Sequence, residues 1–83
     1  MSTSPDTSVR ADDRLVAVIS RWLARHVPDG ELRREIAAVP REQLSSEQAE
    51  AVGELLHELE AGSPRADVEM VARETLEALA LGG

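Results

Sequence analysis

From Ala11 to Val27 the apolar side chains recur with a helical period. At about 100° per residue, Leu15, Val16, Val18, Ile19, Trp22, Leu23 and Val27 fill roughly half of the circumference. An ordinary surface helix buries a stripe of about 100°, so this first helix should touch more than one neighbour. Pro28 cannot continue it. Asp29 is placed to cap a short second helix, Gly30 to Val39, with Leu32, Ile36 and Val39 at i, i+4 and i+7. Pro40 ends that helix by pushing Val39 out of the α region. One loose turn follows. Ser45 and Gln48 then match a capping box, with Leu44 placed to staple the entry. The third helix is expected to reach Ala61, with Gln48, Val52, Leu55, Leu56 and Leu59 along one side. Gly62 is a natural stop, and Ser63 and Pro64 fit the cap and first position of a fourth helix. That helix extends to Leu81 and turns Val68, Val71, Ala72, Thr75, Leu76 and Leu79 inward.

No segment alternates with period two, and no hairpin signal is present. The expected fold is therefore all-α: a compact irregular four-helix bundle in which the second helix is short. Residues 1–9, rich in Ser, Thr, Pro and Asp, are expected to form a flexible, disordered N-terminal tail. Residues 10–83 then make a single helical domain.

Composition narrows the chemistry. The chain has 83 residues, no Cys, no Phe and no Tyr, and Trp22 is its one aromatic residue. A domain this short buries only about 60% of its unfolded surface. With a core of aliphatic side chains, a partner or self-association is expected on energetic grounds. All nine basic residues are Arg. With abundant Ala and Glu, that is the usage expected of a GC-rich genome, such as an actinobacterial one. No apolar run approaches the roughly 20 residues of a membrane span. The opening residues lack the basic and apolar segments of a secretory signal. A cytoplasmic location is expected.

Charge is unevenly spread within a net −7. Residues 1–41 hold seven Arg against six acids, whereas residues 42–83 hold two Arg against ten. On the first helix, Arg10, Arg14, Arg21 and Arg25 fall within an arc of about 60°. On the third, Glu47, Glu50, Glu54 and Glu58 fall within about 80°. The fourth helix alternates Arg65, Glu69, Arg73 and Glu77 at i+4 spacing and so balances itself. The two uncompensated stripes have three possible fates. They face water, neutralise each other within a chain or across a dimer, or dock another protein.

Trp22 borders the Arg stripe. It is either the main core filler or a partly exposed anchor flanked by Arg, a pairing enriched at binding hot spots. In the anchor arrangement a guanidinium from Arg14, Arg21 or Arg25 could also lie against its ring. His26 projects into the apolar arc and is expected to bond a carbonyl at the helix end.

Chemistry-bearing motifs are sparse. Glu54 and His57 have the Glu-x-x-His spacing of di-iron bundles, but such sites need two of these motifs plus further carboxylates. There is no phosphate-cradling Gly-rich loop. In size, acidity and helix number the chain resembles acyl carrier proteins, which would imply a prosthetic group on Ser45 or Ser46. Leu44-Ser45-Ser46-Glu47 lacks that family's Asp-Ser-Leu motif. A helix-turn-helix reader would need a basic recognition helix, and the last two helices are acidic. Gly82 and Gly83 read as a helix stop.

The expected function is a non-enzymatic helical protein–protein interaction module: an adaptor, regulator or assembly component. Its partner is another protein or a second copy, without membrane contact. The expected contact residues are Arg14, Arg21, Trp22, Arg25, Glu47, Glu50, Glu54 and Glu58, with no catalytic, cofactor or metal residues. The alternatives are the serine-modified carrier and an Arg-dependent nucleic-acid binder.

Overall fold

A computed structural model describes residues 11–81. The expected tail, Arg10 and the terminal Gly82-Gly83 lie outside the described residues. The described chain forms four α-helices: α1 (Ala11–Leu23), α2 (Asp29–Ala38), α3 (Ser46–Ala61) and α4 (Arg65–Leu81). A single 3₁₀ turn, Arg41–Gln43, occupies the expected loose turn. The fold is the all-α irregular bundle that the periodicity predicts, with α2 as the short helix.

α1 packs on α2 and α4, α2 packs on α3, and α3 and α4 form the most extensive pair. Two buried polar side chains set the antiparallel register of that pair. Gln48 Nε2 donates to the Leu79 carbonyl at 3.4 Å, and Thr75 Oγ1 lies 3.2 Å from the Ala51 carbonyl. Each helix sends its apolar stripe into one core. Leu15, Ile19, Trp22, Leu32, Ile36, Val52, Leu55 and Ala72 are completely enclosed. Val16, Leu23, Leu44, Leu56, Val71 and Leu76 seal its margins. Among the described residues, every buried side-chain nitrogen or oxygen has a hydrogen-bond partner. That is what burial of polar groups requires.

The start of α3 is the capping box read from the sequence. Ser45 Oγ accepts from the Gln48 amide at 3.1 Å, and Gln48 Oε1 accepts from the Ser45 amide at 3.0 Å. At its end Gly62 adopts φ 73°, and Ser63 N–H reaches back to the Glu58 carbonyl. This closes a Schellman motif, which a residue without Cβ accommodates freely.

Four local expectations are corrected. α1 ends at Leu23, not Val27. The chain must reverse before Pro28, and it does so through a second Schellman motif. Arg25 N–H donates to the Trp22 carbonyl and His26 N–H to the Arg21 carbonyl. Arg25 sits at φ 68°, the one non-glycine residue with positive φ among those described. His26 is consequently exposed in the turn rather than set in the apolar arc, while Val27 still returns to the core. Asp29 is not the cap of α2. Pro28 holds that position without a side-chain bond, and Asp29 is the first helical residue. Ser63 and Pro64 are shifted by one place: the Pro64 carbonyl accepts from Asp67 and Val68, so Pro64 is the cap of α4. The Ser63 hydroxyl instead donates to Glu58 Oε1 at 2.5 Å.

Candidate functional site

The reversal after α1 brings three helix ends together around Trp22. Its ring is fully buried, so it is the core filler and offers no anchor to a partner. The indole Nε1–H donates to Asp29 Oδ1 at 2.7 Å, which explains why that carboxylate does not cap α2. The cation against the ring comes from α4, not from α1. The Arg65 guanidinium carbon lies 4.2 Å from the ring centroid. Arg65 Nη2 also donates to the Trp22 carbonyl at 2.8 Å, near the end of α1. Its Nε donates to Glu69 Oε2 at 2.7 Å, and its Nη1 lies 3.8 Å from Asp29 Oδ1. One side chain thus ties α1, α2 and α4 together.

Glu69 receives Arg65 on one oxygen and lies 3.9 Å from Arg73 Nη2 on the other. The Arg65 hydrogen bond is the main cause that holds its carboxyl below its ordinary pKa of 4.5, with Arg73 and Arg25 adding to the field against partial desolvation. This junction is therefore internally satisfied. It is an architectural element rather than a reactive one.

The Arg stripe of α1 faces water and the α2 helix rather than α3. Arg14 and Arg21 line a shallow groove between α1 and α2, with Glu31 and Glu35 on its other wall and Val18 and Val27 at its base. Arg14 Nη2 is 3.6 Å from Glu35 Oε1, with both side chains about half exposed (53% and 43%). Arg25, in the turn, leaves this row and contributes to the field around Glu69 instead. Among the described residues no ion pair joins the Arg side chains of α1 to the Glu side chains of α3. The packing order accounts for this, since α2 and α4 lie between those faces.

The Glu stripe of α3 stays together on the surface. Glu47, Glu50 and Glu54 are exposed, and Glu58 is half-buried beside Ser63. Glu50, Glu54 and Glu58 line a shallow depression with Gly53, His57 and Val71. None of these carboxylates is in an ion pair among the described residues. Ser45 is engaged as a helix cap and half-buried, whereas Ser46 is exposed. Met70 and Leu81 point outward from α4, at 55% and 82% exposure, as their positions on the wheel indicate. Among the described residues no helix is long and apolar enough to cross a membrane. No protein-family model, curated protein or solved structure matches the chain.

Proposed function

We propose that the protein is a non-enzymatic helical interaction module of the cytoplasm, and that it engages a basic segment of another protein through α3. One observation carries this reading. Glu47, Glu50 and Glu54 form an exposed row without an ion pair, whereas the arginines of α1 and α4 stand beside acids of their own chain. Like charges at i, i+4 cost a helix about 0.2–0.5 kcal/mol per pair. The row is thus a small standing cost to the fold, and a cationic partner relieves it. Complementary charge accelerates encounter and selects the partner more than it adds affinity. The nucleic-acid alternative is less well supported, because Arg14 and Arg21 share their groove with Glu31 and Glu35. The carrier alternative gains nothing from Ser45, whose hydroxyl serves α3 as its cap.

Affinity capture from the host with purified protein tests the reading. The triple variant Glu47→Gln/Glu50→Gln/Glu54→Gln should lose its captured partner. A control neutralised equally on α4, Asp67→Asn/Glu74→Gln/Glu77→Gln, should retain it. Equal recovery by both variants rejects the α3 surface.

A further inference from the structure

The groove between α1 and α2 has a property that no single wall shows. Arg14 and Arg21 stand on the α1 wall, and Glu31 and Glu35 stand on the α2 wall. Opposite charges on opposite walls of one groove make a surface complementary to itself. A two-fold rotation sets the arginines of one molecule against the glutamates of another, and the reverse contact forms at the same time. We propose that this face of α1 and α2 docks a second copy of the chain.

Four further observations favour that occupant. Arg21 and Glu31 line the same groove, yet neither is in an ion pair among the described residues. Both are therefore available to a neighbour. The Arg14–Glu35 pair is loose and half exposed, so exchange for the equivalent intermolecular pair disturbs no buried group. With Asp13, the rim holds two arginines and three acids, close to neutrality in a chain of net charge −7. Two copies repel each other least where the local charge is balanced. Small and aliphatic side chains, Ala17, Val18 and Val27, let the walls approach.

Exposed ion pairs are individually weak. The dimer should therefore be weak and salt-sensitive, and a dissociation constant on the order of 100 µM is taken to set the test. This inference does not depend on the α3 reading, because it uses a different face.

Sedimentation velocity on the full chain and two charge-reversed variants is decisive. The wild type should dimerise between 10 µM and 1 mM at low salt, concentrations set about the dissociation constant taken above. Arg14→Glu/Arg21→Glu and Glu31→Arg/Glu35→Arg should each be monomeric while retaining helical circular dichroism. Mixed in equal amounts, they should form a heterodimer, since one carries only acids on this rim and the other four arginines against Asp13 alone. A wild type that stays monomeric at 1 mM, at the upper end of that range, overturns the proposal. So does a mixture that stays monomeric, or either variant dimerising alone as the wild type does.

Discussion

Trp22 and Arg65 show how one residue pair, 43 positions apart, holds the bundle's upper end. The indole supplies apolar bulk in a chain without other aromatics, and its N–H finds Asp29. Arg65 covers the ring and takes up the Trp22 carbonyl near the end of α1. Truncating a buried aromatic costs about 3–5 kcal/mol. A domain of this length has a total stability of roughly 4–12 kcal/mol. Trp22→Ala should therefore bring the protein close to unfolding, as thermal circular dichroism would show. Arg65→Met keeps the stem but loses the bonds. It should lower stability by about 1–2 kcal/mol in urea titration and red-shift Trp22 emission. An unchanged urea midpoint would mean that Arg65 merely decorates the ring.

Glu69 adds a pH dependence at the same scale. Its folded pKa is lowered, chiefly by the Arg65 hydrogen bond. Its contribution is thus complete above its ordinary pKa of 4.5 and disappears as pH falls below that through the folded value. The acid limb of stability should be shallower in Glu69→Gln, and the difference from wild type should vanish at the acid end. The sequence placed Trp22 on the border of the apolar arc and the Arg stripe, which left core filler and partner contact both open; only the packing shows it enclosed. Its cation was not legible, because i+4 spacing on α4 accounts for the Arg65–Glu69 pair and gives no hint of a contact with α1.

At the scale of the helices, local chemistry explains most boundaries. The Ser45–Gln48 box and Gly62 were readable because each acts within a few residues of sequence. Ser45→Ala should cost about 1 kcal/mol, the usual worth of a cap. The end of α1 was not readable, since Arg25 occupies a left-handed position that glycine normally fills. L-residues pay roughly 1–2 kcal/mol for that conformation. Relief of this strain exceeds the entropy that glycine adds to the unfolded chain. Arg25→Gly should therefore raise the thermal midpoint by a few degrees, scaled from roughly 4–8 °C per kcal/mol. A lowered midpoint would show that the Arg25 side chain contributes more around Glu69 than its backbone costs.

Across the whole molecule, the distribution of charge decides which faces are satisfied. Sequence spacing showed two stripes, and the bundle separates their fates. Packing of α1 on α2 sets Arg14 and Arg21 opposite Glu31 and Glu35, a juxtaposition that no helical wheel of one element contains. The acidic row of α3 has no facing helix wall of arginines and no ion pair among the described residues, although the Arg41 guanidinium lies against Gly53 beside it. Glu54 has Glu50 and Glu58 one turn away on either side. Glu54→Lys converts two repulsive pairs into attractive ones, and should stabilise the free chain by roughly 0.8–2 kcal/mol from the worth of such pairs. The same change should abolish partner capture. A gain in stability coupled to a loss of binding is the mark of a surface kept for recognition.

Photo-cross-linking in the native host tests that account most directly. A photoreactive residue is placed at Glu54, with a second chain carrying it at Ala66 on α4 as a reference. The α3 position should give a discrete adduct with one protein, and peptide mapping should place the partner's end in a basic segment. The Ala66 position should not give that adduct. No adduct from Glu54, or the same adducts from both positions, would contradict the assignment of α3 as the binding face.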